Sequence, residues 1–431
     1  MYMHLRDELN QRWFLNQYTH EKVFELYDKG GEVLYLWVDP TADSMHLGNF
    51  VGFMHAVQRM KRRNKLILIV GGATGMIGDP GGKDSERSFL DEKTLEKNVL
   101  AITTQVETIL GHLTELTGQT FVFEVKNNAD FYREMSFLWF LREVGKYITV
   151  NQMITKETVK RRVEDPDKSI SYTEFSYMLL QWYDFLRLFQ DYGCKLQIAS
   201  SDQRGNIVTG IELIKKKLDK EAYGVTCPLL TDSAGRKFGK SEGNALRLNP
   251  AKNSPYVIYQ YFINTADEDI EKYFKLLTLT PFETIVHIVE KHHKQPQKRI
   301  GQELLAHAVT QTIFGAEAAH QAQLVTKCLF GENGSFEELQ NMNDKELQSF
   351  YQTTGSGQIA APSDRMIETI VAAGLAPSNA EAKKLLKDKA IFLNERQIDD
   401  VGYILTEDDF IQGKMLLLRK GKKTCSSLWR K

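Results

Sequence analysis

Two short segments that lie far apart in the chain carry residue types suited to binding phosphate. His46–Asn49 follows the apolar run 33–38 and the turn-forming stretch 39–44, and it leads into a helical pattern. A helix that begins there presents unpaired N–H groups and the positive end of its dipole to an anion, and Gly48 lets a flat ring approach the backbone. The second segment, Lys237–Ser241, contains a glycine and two ammonium groups that can neutralise a departing pyrophosphate. Together they indicate a site for a nucleoside triphosphate.

The elements that must position these segments follow from the N-terminal pattern. The first 230 or so residues alternate apolar strand-like runs with longer amphipathic segments, which is typical of a parallel sheet wrapped by helices. Lys65–Val70 is the clearest strand, and Phe121–Val125 and Lys195–Ala199 are the next best. Ligands of such sheets sit at the carboxyl ends of strands. Four candidate segments fall at those ends: His46–Asn49, Thr74–Asp79, Asn127-Asn128 and Ser201–Gln203.

A third polar group lies on the predicted helix 174–184. Tyr177, Gln181 and Asp184 are spaced four and three apart, so they share one face of an otherwise apolar helix. A phenol, a carboxamide and a carboxylate in this arrangement suit an amino acid substrate, because Asp184 can accept a hydrogen bond from a phenolic hydroxyl while the other two bind an ammonium group. A buried, internally satisfied polar network is the alternative explanation.

The bulk properties indicate a multidomain protein without a membrane segment. At 431 residues, two to four domains are expected from the usual length of roughly 150 residues per domain. The charges balance, with 55 Lys plus Arg against 56 Asp plus Glu, so contact with nucleic acid requires local basic patches. No apolar run approaches the roughly 20 residues of a membrane helix, and the N-terminus lacks a signal peptide pattern. The four cysteines are widely spaced, which favours a reducing cytoplasm.

The pattern along the chain predicts an α/β protein. A Rossmann-like, doubly wound parallel sheet is followed by a helical domain and a small α+β domain. The final module carries Lys383–Lys389 and a C-terminal stretch from Lys414 onward that has seven basic residues and no acidic one. The predicted divisions are a catalytic domain at 1–230 with a dimer-forming insertion, a lysine loop and connection at 231–253, a helical anticodon-side domain at 254–330, a linker at 331–362, and an RNA-binding domain at 363–431.

The order of the two phosphate-binding segments, about 190 residues apart, resembles the HIGH and KMSKS signatures of class I aminoacyl-tRNA synthetases. The flanking residues narrow the resemblance to tyrosyl-tRNA synthetases of the bacterial type. They are Pro40–Ser44, Gly71–Pro80 and Ser201–Gln203. The resemblance covers nearly the whole chain, and the last module resembles the RNA-binding fold of ribosomal protein S4.

The resemblance implies a tyrosine pocket. Tyr35 and Asp184 would bind the tyrosine hydroxyl, and Gln203 would contact the carboxylate end. The α-amino group would be bound by Asp79, Tyr177 and Gln181. Phenylalanine would leave buried polar groups unpaired, a basis for selectivity already established for this family. Tyr35 as a core residue and Asp79 as a turn cap before Pro80 remain alternatives.

The resemblance also implies the residues that act on ATP. The catalytic set on the phosphates would be Thr41, His46 and Asn49 from the helix side, with Lys83, Arg87, Lys237, Lys240 and Ser241 from other segments. His46 and Lys240 would also bind ATP, and the nucleoside portion would be contacted by Asp39, Gly48 and Asp202.

The implied reaction is in-line attack of the tyrosine carboxylate on the α-phosphate of ATP, followed by transfer of tyrosine to the 3′ end of tRNA(Tyr). No covalent protein intermediate is needed, so catalysis consists of placement and charge stabilisation. Magnesium would accompany ATP, and we expect neither a protein-bound metal site nor a tightly bound cofactor. The resemblance further implies a cytoplasmic homodimer, with the amphipathic segment Gly145–Arg162 as its candidate interface.

Several positions depart from the family pattern. Asn49 stands where a second histidine is common, and an amide cannot become cationic. Ala199-Ser200 replaces a glycine pair near the ATP ribose, Arg204 stands where an aromatic residue is common, and Leu36 and Trp37 are bulkier than usual. Because every residue proposed for tyrosine and pyrophosphate contact is present, activity is predicted to be retained.

Three other functions stay open from the sequence. A tryptophanyl-tRNA synthetase shares the architecture, although Asp184 and the basic terminal module favour tyrosine. A small-molecule nucleotidylyltransferase also uses a motif like His46–Asn49, but it would not need the helical and RNA-binding modules. A non-catalytic RNA-binding protein that keeps the synthetase fold is the third.

Overall fold

The computed structural model describes residues 3–78, 90–165, 169–233, 235, 246–330, 339–421 and 424–431. Its contacts divide the chain into two compact units. The first comprises Met1–Asn253 and Phe262–Gly315, and the second comprises Ser254–Tyr261 and Ala316–Lys431.

The first unit is built around a sheet of six strands in the order β1-β6-β5-β2-β3-β4. All neighbours are parallel except β1, which pairs antiparallel with β6 at one edge. The register places Leu34 opposite Leu66 on one side and Leu196 on the other. The strands are β1, Gln17–Tyr18; β2, Val33–Val38; β3, Lys65–Val70; β4, Phe123–Asn127; β5, Leu196–Ser200; and β6, Tyr223–Cys227.

Helices cover both faces of this sheet, as the continuous apolar strands require. Leu36 of β2 faces α3, where a Cβ added to Gly52 would meet Leu36 Cδ1 at 3.4 Å. Tyr35 and Ile67 face α9 and share its core. The helices before residue 220 are α1, Leu5–Gln11; α2, Lys22–Lys29; α3, Leu47–Met60; α4, Gly72–Ile77; α5, Glu92–Thr117; α6, Phe137–Glu143; α7, Val150–Ile154; α8, Glu157–Val163; α9, Tyr172–Tyr192; and α10, Arg204–Leu218.

The helical segment after residue 254 is divided between the two units. α12 and α14 belong to the first unit, where α12 packs against α3 and α14 against α5. Prolines mark the helix starts: Pro255 opens α11 and Pro281 is the N-cap of α13. The helices are α11, Pro255–Ile263; α12, Ile270–Leu277; α13, Phe282–Lys294; α14, Ile300–Phe314; and α15, Ala316–Phe330.

The second unit contains a five-stranded sheet in the order β7-β11-β10-β8-β9, with β7 parallel to β11 and the other pairs antiparallel. Two helices pack with this sheet around a core that includes Met366, Leu386 and Leu418. The elements are α16, Asp344–Thr354; β7, Gly355–Ala360; α17, Met366–Ala372; α18, Asn379–Lys387; β8, Ile391–Leu393; β9, Arg396–Ile398; β10, Met415–Lys420; and β11, Thr424–Arg430.

The predicted fold class is confirmed by this architecture, but the boundaries differ. Residues 262–315 pack with the sheet domain and do not form a unit of their own. The part of the predicted linker 331–362 that the structure describes contains α16 and β7. The basic stretch from Lys414 onward forms two central strands, and Lys414 pairs with Asp344 at 2.5 Å. Within the described ranges, no helix combines the length and the apolar character needed to cross a membrane.

Candidate active site

Strand β2 presents two aromatic residues, Tyr35 and Trp37, to α9. Tyr35 is completely buried, and its ring packs on Phe185 with the centroids 5.0 Å apart. Its hydroxyl has no hydrogen-bond partner among the residues that the structure describes. Burial, followed by the Cys194 thiol and the Asp184 carboxylate, raises the pKa of Tyr35, so the hydroxyl remains a neutral donor.

The predicted polar face of α9 is present. The helix begins at Ser171, whose side chain accepts from Glu174 N, and ends at Gly193 in the left-handed region. Tyr177, Gln181 and Asp184 are all buried on it, with 1%, 3% and 0% exposure. These three side chains therefore line the interior beside the sheet and do not face solvent.

Asp184 is the most deeply buried carboxylate of the site. Its Oδ2 accepts from Asn128 Nδ2 at 2.8 Å, and its Oδ1 accepts from the Tyr132 hydroxyl at 2.7 Å. Desolvation raises the pKa of Asp184 to about 7, although both hydrogen bonds oppose that shift. Each carboxylate oxygen keeps a second lone pair, so the group can still accept from a ligand.

A chain of hydrogen bonds joins Asp184 to the end of β2. Asn128 Nδ2 also donates to Thr74 Oγ1 at 3.2 Å, and the Thr74 hydroxyl donates to Asp39 Oδ1 at 3.2 Å. Asp39 Oδ2 in turn accepts from the Tyr177 hydroxyl at 3.0 Å. Asp39, expected at the nucleoside, is thus held by Tyr177, which is expected in the tyrosine pocket. One residue predicted for the nucleoside and two predicted for tyrosine therefore belong to one network.

Sequence reasoning missed Tyr132 and the direct role of Asn128. Asn128 carried a signal, because it follows β4 at a strand end. Tyr132 carried none, since it follows a short 3₁₀ turn, and its contact with Asp184 spans 52 residues of sequence.

Gln181, on the same face of α9, contacts the turn that follows β5. Its Nε2 donates to Gln203 Oε1 at 3.3 Å, and Gln203 Oε1 also accepts from Asn206 Nδ2 at 2.9 Å. The other end of the amide, Gln181 Oε1, is buried without a partner in the described part of the chain. A buried acceptor of this kind costs free energy unless a ligand donates to it.

The first phosphate-binding segment forms the predicted helix start. His46 is the N-cap of α3, and its Nδ1 accepts from Asn49 N at 3.2 Å while Asn49 Oδ1 accepts from His46 N at 3.2 Å. Through this reciprocal capping box Asn49 stabilises the start of the helix, a role that the resemblance to the family did not suggest. Because Nδ1 is the acceptor, the proton of the neutral ring lies on Nε2.

Electrostatics keep the His46 ring neutral. Burial, with the Arg247 charge as the second cause, lowers the pKa of His46 to about 4. Arg247 is close because its segment pairs antiparallel with the N-cap: Leu47 N donates to Leu246 O at 3.2 Å, and Arg247 Nη1 donates to Ser44 O at 3.0 Å. His46 therefore offers a neutral N–H donor across the physiological pH range.

A pocket opens between this helix start and the carboxyl ends of β2 and β5. Asp202, beside it, accepts from Ser200 Oγ at 2.5 Å, and Thr41 is exposed. Most of the departures from the family pattern contribute to its wall: Leu36, Trp37, Asn49 and Ala199-Ser200. The lining residues are Leu36, Trp37, Val38, Gly48, Asn49, Gly52, Gln181, Gln197, Ala199, Ser200, Gln203 and Cys227.

Six predicted site residues lie outside the described residues. They are Asp79, Lys83, Arg87, Lys237, Lys240 and Ser241. The flanks of the second segment are described: Ser233 N donates to Asp269 Oδ2 at 2.9 Å, and Leu248 N donates to Met45 O at 3.0 Å. The second contact places one flank of the lysine segment directly against the first segment. No group of three or more His, Cys, Asp or Glu side chains arranged to hold a metal occurs in the described ranges.

Comparison with known proteins identifies the class of this site. Residues 30–331 match the family model of class I tRNA synthetases (W and Y). Residues 346–427 match the C-terminal domain of tyrosine–tRNA ligases. The first match contains the whole network described above, and the second contains most of the second unit.

The relatives define the branch. The chain is 39% identical to a tyrosine–tRNA ligase of Streptococcus gordonii over 98% of both sequences. A C-terminally truncated mitochondrial tyrosyl-tRNA synthetase from Aspergillus nidulans is 27% identical, with a TM-score of 0.70 over 76% of this chain and 95% of that one. The corresponding Coccidioides posadasii structure is 28% identical, with a TM-score of 0.67 over 75% and 91%. The chain belongs to the tyrosine–tRNA ligases, a family of aminoacyl-tRNA synthetases, so the resemblance inferred from the sequence is confirmed.

Proposed function

We propose that this chain activates L-tyrosine with ATP to give tyrosyl-adenylate and pyrophosphate, and then transfers tyrosine to the 3′ end of tRNA(Tyr). Ligation of tyrosine to tRNA is the activity of the family to which the chain belongs. ATP is a substrate and brings Mg²⁺ with it. A cytoplasmic location, expected from the sequence, is part of this proposal.

The observation that carries this proposal is the buried hydroxyl of Tyr35. It has no partner within the described residues, and its ring packs on Phe185, the residue that follows Asp184 on α9. A phenolic hydroxyl of the substrate can accept from Tyr35 and donate to Asp184. Phenylalanine leaves both groups unsatisfied, which supports selection for tyrosine.

The reacting end of tyrosine lies toward the end of β2 in this proposal. Tyr177 and Gln181, with Asp79, bind the ammonium group, and Gln203 contacts the carboxylate end. The Gln181 Oε1 acceptor supports this assignment because an ammonium group is a pure donor.

The phosphate end rests on the start of α3. His46 donates through Nε2, and the Asn49 amide can donate through Nδ2 because its Oδ1 already accepts from the backbone. We assign Thr41, Lys83, Arg87, Lys237, Lys240 and Ser241 to the same phosphates, and Asp39, Gly48 and Asp202 to the nucleoside.

The second unit is proposed to bind tRNA. Three lysines of α18, Lys383, Lys384 and Lys387, are exposed, whereas Arg430 pairs with Glu407 at 2.7 Å. The three lysines on the exposed face of this helix are therefore available to neutralise phosphates. The helical segment 262–315 is proposed to face the anticodon side.

Homodimer formation is proposed through the insertion after β4. Large apolar side chains are exposed along α6 and α7, which is unusual for a monomer surface. They begin before the predicted interface Gly145–Arg162 and extend into it: Phe137, Leu138, Trp139, Leu141, Val150 and Ile154.

The test of the function is exchange of pyrophosphate into ATP with tyrosine, phenylalanine or tryptophan, followed by charging of tRNA(Tyr). Exchange with tyrosine alone is expected, and Asp184→Ala should abolish it. Exchange that prefers tryptophan would favour the tryptophanyl-tRNA synthetase alternative. No exchange with any of the three would favour the non-catalytic RNA-binding function.

A further inference from the structure

Trp37 lies where the tyrosine side and the ATP side of the site meet. It shares the α9-facing side of β2 with Tyr35, two residues away, and its ring meets the Tyr177 ring edge-on with centroids 6.0 Å apart. It also lines the pocket that contains Gln181 and Gln203. The ring is held against Gly71, where an added Cβ would come within 3.1 Å of Trp37 Cζ2.

The indole N–H of Trp37 is buried without a hydrogen-bond partner anywhere in the described ranges. Burying an amide-like donor without a partner is costly, so such a group indicates a missing acceptor. The buried acceptor in the same pocket, Gln181 Oε1, is also unpartnered and does not accept from this N–H. The residues that line the pocket thus include one with an unpaired buried donor and one with an unpaired buried acceptor.

These two groups complement the ends of a zwitterion. An indole N–H only donates, so it fits a carboxylate and cannot bind an ammonium group, whereas an amide oxygen fits the ammonium group. The spacing agrees with this, because two residues along a strand span about 7 Å, roughly the reach from a tyrosine hydroxyl to its α-carbon. A tyrosine whose hydroxyl is bound by Tyr35 therefore extends toward Trp37.

We propose that Trp37 is a substrate-binding residue whose indole N–H donates a hydrogen bond to the α-carboxylate of the bound amino acid. The inference rests on the proposed function and adds a residue that the family resemblance had left unexplained. The carboxylate is the attacking group of the activation step, and this donor holds it between the tyrosine pocket and the phosphates. A carboxylate so placed is oriented for in-line attack.

The test compares two ligands on two matched variants. Trp37→Phe removes the N–H and keeps an aromatic ring. Trp182→Phe makes the same change at another buried tryptophan whose N–H also lacks a described partner, but whose ring faces Lys156 at 5.5 Å. The dissociation constants of L-tyrosine and of tyramine, which lacks the carboxylate, are measured by isothermal titration calorimetry.

Trp37→Phe is expected to weaken tyrosine binding about tenfold or more, the usual effect of losing a hydrogen bond to a charged group, and to leave tyramine binding unchanged. Trp182→Phe should leave the affinity for both ligands unchanged. Equal weakening of both ligands by Trp37→Phe, or no change in tyrosine binding, would overturn the inference. Wild-type exchange of pyrophosphate with tyrosine is measured in parallel, so failure of the proposed function is seen separately.

Discussion

The Tyr132 hydroxyl donates to Oδ1 of Asp184 at 2.7 Å, and the same hydroxyl lies 2.9 Å from Leu180 O. A phenol of the protein therefore already contacts the carboxylate proposed to recognise the phenol of the substrate. Because Tyr132 can turn its proton to Leu180 O, it can release a lone pair of Asp184 when a ligand arrives.

Tyrosine affinity should rise with pH through the pKa of Asp184. The carboxylate has a pKa of about 7, and only its ionised form is a pure acceptor for the substrate hydroxyl. Binding at pH 8 should be about tenfold tighter than at pH 6, since the ionised fraction changes by about that factor. The measurement is the dissociation constant of tyrosine across this range, where His46 stays neutral.

Asp184→Asn is the matched control for that pH dependence. It should bind tyrosine weakly, because an amide is not a pure acceptor, and equally at every pH, because its side chain does not titrate. The folded-state pKa of Asp184 lies above its unfolded value, so ionisation destabilises the fold progressively from about pH 4 to 7. The Asp184→Asn substitution should therefore stabilise the protein more at pH 8 than at pH 5 in thermal denaturation. If the affinity of the wild type for tyrosine did not change with pH, the assignment of Asp184 to the substrate hydroxyl would be contradicted.

His46 should separate into a capping role and a catalytic role. His46→Asn keeps a good N-cap acceptor and loses the ring donor, whereas His46→Ala loses both. Both variants should lose about a hundredfold in pyrophosphate exchange, the usual effect of removing one donor to a developing charge. Only the alanine variant should lose about 1 kcal/mol of stability. If His46→Asn exchanged pyrophosphate at the wild-type rate, Nε2 would not act on the phosphates.

Leu138→Glu should dissociate the proposed homodimer. Leu138 is 77% exposed in this chain, and a carboxylate there would be buried against the partner without a counter-ion. Leu100→Glu is the control, since Leu100 is 68% exposed on α5. Sedimentation velocity should show a monomer for the first variant and a dimer for the second. A dimeric Leu138→Glu protein would place the interface elsewhere.

Lys383, Lys384 and Lys387 should matter for tRNA and not for tyrosine activation. Changing all three to Glu reverses the charge of an exposed helix face, so charging of tRNA(Tyr) should fall at least tenfold at physiological salt. Pyrophosphate exchange should remain at the wild-type rate, because these residues lie outside the catalytic unit. Unchanged charging would remove α18 from the tRNA-binding surface.

The sequence patterns predicted the structure correctly where the hydrophobic period of a single strand or helix determines which side chains are buried. The run Lys65–Val70 became β3 residue for residue, and the spacing of Tyr177, Gln181 and Asp184 placed all three inside, because helix and strand periods fix which side chains share a face. The strand ends likewise brought Asp39 and Asn128 into one network, as parallel strands require.

Non-local packing decided what the patterns missed. The polar stretch before residue 355 suggested a linker, yet β7 pairs with β11 more than 60 residues later. The start of α16 is different, because its capping box of Asn343 and Glu346 is a local signal that the sequence analysis overlooked. The assignment of 262–315 to the first unit depends on packing between α12 and α3 and between α14 and α5. Hydrophobic periodicity shows that a helix has an apolar face but does not show which partner covers it.

Gly71 is surrounded by three different side chains, since an added Cβ would lie 2.2 Å from Thr74 Oγ1, 2.6 Å from Asp39 Oδ1 and 3.1 Å from Trp37 Cζ2. Any substitution there would displace the network and the indole together. These positions are therefore epistatic: a mutational scan will score Gly71 as intolerant of single changes, and a different residue at 71 becomes accessible only after its neighbours have changed.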